Sequence, residues 1–216
     1  MKLNLGCGQW YLDGWVNIDV LDNARLDVKS RIEDLNYPDK SIDEIMMMAS
    51  FEHFPRHVAI MQLRKFYKWL KEGGGKLAVL VPDFWGTIQK LQESKDVQEQ
   101  QFWYRHIFGA QDTTLYGTHY DGFDVNKLTW MFNIVGFDTY QYKMIPQFPN
   151  IMFVGFKDRE TKSESAVEHD IINYMATYEA RIETGTLFRA WMEQMGLKAD
   201  KPDTPIYDTQ FIIQGK

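Results

Sequence analysis

Short apolar runs recur along this chain at intervals that predict a set of buried strands. The first five runs cover residues 3–5, 16–18, 25–28, 42–48 and 77–81. The last of them is apolar on both faces, which is typical of a central strand in a parallel sheet. Longer segments separate the later runs, and strands that alternate with helices predict a mostly parallel sheet.

Helical spacing appears twice between or after these runs, in segments where apolar residues recur at i, i+3, i+4 and i+7. The two predicted helix faces consist of Leu63, Phe66, Tyr67 and Leu70, and of Leu128, Met131, Phe132 and Val135. Two apolar and aromatic segments follow, residues 139–144 and 151–156, with a Pro-Gln-Phe-Pro turn between them. This pair predicts an antiparallel hairpin at one edge of the sheet.

The C-terminal part of the chain has a different character. A charged and polar stretch begins at residue 157 and is typical of a linker. We therefore predict one domain at residues 1–157, and at residues 158–216 a linker, a helical appendage and an extended tail from residue 202. The helical stripes that predict this appendage are Ile171, Met175, Tyr178 and Ile182, then Leu187 or Phe188 with Trp191 and Met195.

Composition limits the classes of function. The 216 residues, 44% of them hydrophobic and 15% aromatic, suffice for one substantial core plus an appendage. A net charge of −6 without a basic block disfavours nucleic-acid binding. The single cysteine, Cys7, fits a reducing compartment. No signal-peptide pattern or window of about 18 apolar residues occurs, so we expect a cytoplasmic protein without membrane contact.

A glycine turn and an acid stand at the ends of the first two predicted strands. Gly6 and Gly8 follow strand one and leave bare backbone that a ligand can approach. Asp19 ends strand two. In nucleotide-binding folds, such a turn lies beneath the ligand and the acid accepts hydrogen bonds from ribose hydroxyls. The pattern predicts a nucleoside-containing cofactor.

Two cofactor classes compete for this turn. A dinucleotide site needs a small residue three positions after the second glycine and an acid about 20 residues on. Tyr11 occupies that position, and Asp19 follows Gly8 by only eleven residues, which disfavours NAD. The residues between Gly8 and Ile18 are also too few for a full crossover helix. They predict a turn or so of helix plus a loop, with Trp10 or Tyr11 either walling a pocket or packing in the core.

Several segments, taken in order, carry a resemblance to a known family. Residues 3–8 (LNLGCG) resemble motif I of the class I S-adenosylmethionine-dependent methyltransferases, with Asn4 where an acid is frequent. Residues 41–54 resemble that family's fourth strand and the Glu-His turn after it, and residues 70–83 its Leu-Lys-Pro-Gly-Gly segment, with Glu72 replacing the proline. Similarity to a small bacterial subgroup of predicted methyltransferases continues at residues 108–111, 119, 122–124 and 135–138.

The resemblance implies an α/β, Rossmann-like methyltransferase fold, with a mostly parallel seven-stranded sheet, one antiparallel strand and a C-terminal helical appendage. It implies S-adenosylmethionine as the cofactor. Asp19 would bind the ribose, and either Asp27 or Asp34 would serve the adenine amino group. The residues expected around the methionine, ribose, adenine and sulfonium groups are Leu5, Gly6, Cys7, Gly8, Ile32, Met48 and Ala49.

Histidines are the candidate catalytic residues. His119 lies in a glycine-flanked loop after the core strands, and an ordinary histidine titrates near neutrality, which suits a base toward a hydroxyl. His53 matches the family's Glu-His pair, which suggests that it orients the cofactor loop. His53 and His57 stand at i, i+4, but Pro55 disfavours a continuous helix through both. We therefore predict no metal site.

These observations favour a methyltransferase that acts on a small-molecule or carbohydrate-like (glycan) acceptor, at oxygen. No Asn/Asp-Pro-Pro-Tyr/Phe tetrad follows the fourth strand, which disfavours methylation of base or amide nitrogens. Two alternatives are a non-catalytic interaction protein with the methyltransferase fold and a nucleotide-dependent oxidoreductase. A homodimer through the C-terminal helices is a further expectation.

Overall fold

The computed structural model describes residues 1–22, 25–112, 114–179 and 185–200. Contacts between residues divide the chain into two units, residues 1–161 and residues 162–216. Within the described ranges, no helix combines the length and the apolar character that crossing a membrane requires. The expected nucleoside site falls in the first unit.

The first unit is built on a seven-stranded sheet with the strand order β3-β2-β1-β4-β5-β7-β6. Neighbouring strands from β3 to β5 are parallel, whereas β7 is antiparallel to both β5 and β6. This arrangement confirms the predicted sheet with one reversed strand and an edge hairpin. The strands are β1 (Lys2–Leu5), β2 (Val16–Asp19), β3 (Val28–Lys29), β4 (Glu44–Met48), β5 (Gly75–Pro82), β6 (Thr139–Ile145) and β7 (Asn150–Lys157).

Four helices accompany this sheet in the described residues of the first unit, α1 (Arg56–Trp69), α2 (Phe84–Glu93), α3 (Val97–Phe108) and α4 (Val125–Val135). The apolar spacings predicted α1 and α4, and α4 ends as expected at Gly136, whose φ is +116°. Sequence reasoning missed α2 and α3. They bury few apolar side chains, mainly Trp103 of α3.

The core lies on both faces of the central strands. Every side chain from Leu77 to Val81 in β5 is buried, as its continuous apolar run predicted. Leu63 and Phe66, on the buried face of α1, have no exposed surface. Parallel strands covered on both faces bring their carboxyl ends to one edge of the sheet, and ligand sites in such folds lie beyond that edge.

The connection from β1 to β2 contains turns and no helix, unlike the short helical turn expected there. Polar side chains hold it in place instead. Asn17 of β2 is fully buried and donates to the carbonyl oxygens of Leu12 and Trp15 at 3.0 Å each. Asn4 of β1 donates to the Trp10 carbonyl and, at 2.9 Å, to Asn17 Oδ1. Because these bonds serve the backbone of the connection, it needs no helical bonds of its own.

The second unit contains α5 (Glu164–Ala176) and α6 (Thr186–Gln194) within its described residues. The Ser163 hydroxyl caps α5 by accepting from the Ala166 N–H at 3.3 Å. Ile171 and Met175, from the predicted apolar stripe, are fully buried. Residue 182 and the expected extended tail at 202–216 lie outside the described residues.

Candidate active site

The glycine turn after β1 has the open backbone that the sequence suggested. Gly6 and Gly8 have left-handed φ values of +65° and +50°. The N–H groups of Gly6 and Cys7 donate to the Ile18 carbonyl at 2.9 and 3.1 Å, which ties the turn to β2. A Cβ added to Gly6 would lie 2.6 Å from Ser50 Cβ, whereas one on Gly8 would meet no atom within 4 Å. Packing therefore requires glycine at position 6, and the backbone at Gly8 is open to a ligand.

The Asp19 carboxylate lies directly beside this turn. It is buried, with 7% of the residue exposed. Its Oδ2 accepts from the Gly8 N–H at 2.8 Å, and its Oδ1 accepts from the Leu21 N–H at 2.8 Å. Each carboxylate oxygen can accept a second hydrogen bond. Asp19 therefore shapes the turn and retains acceptor capacity for the hydroxyls of a ribose.

Of the two acids considered for adenine, Asp27 has a structural role. Its Oδ2 accepts from the backbone and side-chain nitrogens of Asn17, and its Oδ1 accepts from the Tyr11 hydroxyl at 2.9 Å. These hydrogen bonds, those of Asn17 first, lower the pKa of Asp27. Asp34 ends the short 3-10 turn Ile32–Asp34 and is exposed.

The remaining cofactor candidates lie at the ends of β1 and β4 or next to them. Leu5 and Cys7 are buried, and burial raises the pKa of the Cys7 thiol, which makes it a poor nucleophile. Ile32 Cδ1 would lie 3.8 Å from a Cβ on Gly6, so Ile32 approaches the turn. Met48 ends β4. Ala49 follows it with φ +53°, a conformation that is uncommon for alanine and often marks functional sites.

A cavity of about 520 Å³ opens beyond the carboxyl ends of β4 and β5. Its volume lies within the usual range for small-molecule sites. Ala49 lines it, and so does Trp10, one of the two aromatic residues considered for a pocket wall. The other, Tyr11, is held by Asp27 instead. Aromatic side chains form part of the cavity wall. Another part of the wall is polar and consists of Glu52, His53, Arg105, His106 and His119.

Backbone carbonyl groups orient the three cavity histidines. His119 Nδ1 lies 3.1 Å from the His106 carbonyl oxygen, and His53 Nδ1 lies 2.9 Å from that of Thr118. His106 Nε2 lies 2.8 Å from the Pro149 carbonyl oxygen. A carbonyl oxygen only accepts, so each of these ring nitrogens carries the proton. In the neutral rings of His53 and His119, Nε2 is therefore the nitrogen without a proton, and the ring of His53 also interacts with the backbone of Ala49.

Burial disfavours charge on the cavity side chains Glu52, His53 and His119. Burial lowers the pKa of His53 and, together with the neighbouring His53, lowers that of His119 to about 4. The His119 imidazole is thus neutral at pH 7 and a weaker proton acceptor than an ordinary histidine. Burial raises the pKa of Glu52 to about 8. Its Oε2 is buried and has no hydrogen-bond partner among the described residues.

Three of these side chains meet closely. A carboxylate oxygen of Glu52 and one ring nitrogen each of His53 and His119 lie within 4.8 Å of one another. The rings of His53 and His119 are 4.9 Å apart and nearly perpendicular. His57, which the sequence pairs with His53, is not a member of this cluster. Sequence reasoning did not select Glu52, although a glutamate enclosed by Phe51 and Phe54 was a signal of a buried acid.

The sequence matches no protein-family model, and no curated protein sequence matches it either. Its fold, however, is similar to solved structures. One is the complex of the Haloferax volcanii Trm112 methyltransferase activator with a protein described as a methyltransferase. That match has TM-score 0.53 and 14% identity over 75% of this chain and 83% of the other. A SAM-dependent methyltransferase from Archaeoglobus fulgidus matches with TM-score 0.50 and 13% identity, over 72% and 85% of the two chains.

A third similar structure is a possible exported protein from Bordetella parapertussis, with TM-score 0.52 and 12% identity. The match covers 73% of this chain but only 61% of that one. Sequence identities this low are evidence for a shared fold alone, because proteins of one architecture can have unrelated functions. Together with the strand order and the reversed β7, they establish that this protein has the class I methyltransferase fold.

Proposed function

We propose that this protein is an S-adenosylmethionine-dependent methyltransferase that methylates a hydroxyl oxygen of a small or carbohydrate-like acceptor. The observation that carries the proposal is the contact between the two halves of the site. Ser50, two residues after β4, packs against Gly6, and its hydroxyl donates to the Leu5 carbonyl at 3.1 Å. Ala49, the preceding residue, lines the cavity. The glycine turn and the cavity are therefore adjacent, and a cofactor bound at the turn would extend past the end of β4 to the cavity.

The cofactor half of the proposal uses the residues at the ends of the first strands. Gly8 presents open backbone, and Asp19 has acceptor capacity for the ribose hydroxyls. Leu5, Gly6 and Cys7 would lie along the methionine and ribose part, and Ile32 would cover the adenine. Asp34 is the acid that we assign to the adenine amino group, because Asp27 is engaged by Asn17 and Tyr11.

Met48 and Ala49 would face the sulfonium. When bound, this group supplies a methyl that is already strongly electrophilic, so the protein chiefly positions the acceptor and excludes water. The cavity walls suit such a task, because flat aromatic side chains such as Phe148 and Tyr116 can stack on a ring-shaped acceptor. His119 is the proposed catalytic residue, since its imidazole lies in the cavity where the acceptor hydroxyl would enter.

Calorimetric titration of the full chain with S-adenosylmethionine and S-adenosylhomocysteine, with NAD as the control, tests the cofactor. We expect micromolar binding of both sulfur ligands and no binding of NAD. A screen of hydroxylated small molecules and sugars with labelled S-adenosylmethionine then tests the acceptor, and methyl transfer should be lost in His119→Ala.

Other outcomes of these experiments contradict the proposal in different ways. Binding of neither sulfur ligand would exclude the enzyme and favour an interaction protein with a methyltransferase fold. Binding of both without transfer to any acceptor pool would favour a cofactor-binding protein that is not a catalyst. Binding of NAD alone would favour the oxidoreductase.

A further inference from the structure

We propose that Glu52, His53 and His119 bind a divalent transition-metal ion, Zn²⁺ or one of similar chemistry, at the wall of the cavity. The sequence did not predict this site, because His119 is far from the other two in the chain. Binding of the ion is independent of the proposed function. Only its role in methyl transfer depends on that function.

The buried carboxyl group of Glu52 is the first observation. Only 1% of the residue is exposed, and no hydrogen bond or ion pair reaches Oε2 from the described residues. A buried carboxyl oxygen without a partner is costly, and native structures rarely retain one without a reason. A bound cation supplies both the missing partner and the missing charge.

The orientation of the two histidines is the second observation. Metal-binding histidines nearly always donate their other ring N–H to a carbonyl or carboxylate, which fixes the ring and its tautomer. His53 and His119 both meet this condition through Nδ1, toward the carbonyl oxygens of Thr118 and His106. Two separate backbone segments thus hold two imidazoles beside one carboxylate.

The spacing and the ligand types select the ion. Bonds from Zn²⁺ to nitrogen or oxygen measure about 2.0–2.2 Å, so ligand atoms of a tetrahedral ion lie about 3.4 Å apart. The three atoms lie within 4.8 Å of one another and would draw together by about 1 Å or more on binding. Imidazole nitrogen suits zinc and similar ions, whereas Mg²⁺ prefers oxygen ligands alone. Three protein ligands beside a cavity leave a further coordination position open, as catalytic zinc sites do.

All three side chains line the cavity that we assign to the acceptor, so an ion held by them would be accessible to its hydroxyl. A cation there makes a hydroxyl more acidic, so that its proton leaves to water as the oxygen attacks. The oxygen then forms the C–O bond while the S–CH₃ bond breaks, and the bond's electron pair stays on sulfur, which becomes a neutral thioether. In this scheme His119 contributes to catalysis by holding the ion.

Calorimetric titration of the chelator-treated full chain with ZnCl₂ tests the site. The wild type should bind one ion per chain. Glu52→Gln and His119→Gln should each weaken that binding by about 100-fold or more, because one of three protein ligands is lost. His57→Gln is the matched control, since this histidine lies outside the cluster, and it should bind as the wild type does. Cobalt in place of zinc should give the visible absorption of a low-symmetry site in the wild type and in His57→Gln, and not in the two ligand variants.

Equal binding by all four proteins, or no binding by folded wild type at submillimolar zinc, would overturn the proposal. Circular dichroism reports folding of each variant, and His119→Gln remains a test if Glu52→Gln does not fold. The sulfur ligands are titrated into the same chelated protein. Cofactor binding without zinc binding would reject the metal site alone, and zinc binding without cofactor binding would reject the proposed function alone.

Discussion

The Asp19 carboxylate accepts a hydrogen bond from the backbone N–H of Gly8 at 2.8 Å. The acid at the end of β2 therefore holds the glycine turn at the end of β1, in addition to any contact with a ligand. Since Oδ1 also accepts from Leu21, both oxygens of this buried side chain contribute to the shape of the site. Cofactor affinity and local stability should consequently depend on the same residue.

Asp19→Ala should weaken S-adenosylmethionine binding by about 1–3 kcal/mol, the usual cost of losing charge-assisted hydrogen bonds. It should also lower the free energy of unfolding by about 1–3 kcal/mol, because the N–H groups of Gly8 and Leu21 lose their acceptors. Calorimetry and urea unfolding measure the two effects. Asp13→Ala, whose side chain is 92% exposed, should change neither. Unchanged affinity in Asp19→Ala would remove this acid from the cofactor site.

Gly6→Ala and Gly8→Ala form a matched pair. Both positions have left-handed φ, which costs an alanine about 1 kcal/mol. At Gly6 the new Cβ would also lie 2.6 Å from Ser50 Cβ, so backbone must move. We expect a clearly larger fall in melting temperature for Gly6→Ala. Gly8→Ala should fold and lose cofactor affinity, because its methyl group enters the space left for the ligand. Equal melting temperatures would contradict the packing role of Gly6.

Asp43 should contribute to stability above acidic pH. Its hydrogen bond from Lys71, at 2.7 Å, and its contact with the N-terminal amine lower its pKa from 3.8 to about 2. The unfolded chain binds this proton more readily, so the contribution is present above about pH 4 and is lost as the pH falls toward 2. Urea unfolding of the wild type and Asp43→Asn from pH 2 to 6 measures it. The two proteins should differ at pH 6 and converge near pH 2. A constant difference would contradict the assignment.

Local patterns in the sequence were enough to predict most of the sheet. The continuous apolar run of β5 and the helical spacing in α1 and α4 depend on neighbours in the chain, so each could be recognised without a tertiary structure. The helices α2 and α3 were not predicted, and they bury little: Thr87 in α2, and Trp103 and His106 in α3. The sequence of α2 nevertheless carries a helical signal that was missed, since Phe84, Ile88 and Leu91 stand at i, i+4 and i+7.

The sequence by itself determined the sheet, the glycine turn and the position of Asp19 beside it, since strand periodicity and glycine conformation are local properties. Only the tertiary structure decided what lies across the site. In the tertiary structure Trp10 lies in the cavity wall, and Asn17 holds the β1–β2 connection by hydrogen bonds. His119 lies beside Glu52 and His53. Such contacts join segments distant in sequence at the carboxyl edge of the sheet. They depend on how loops return to that edge, which no local pattern records.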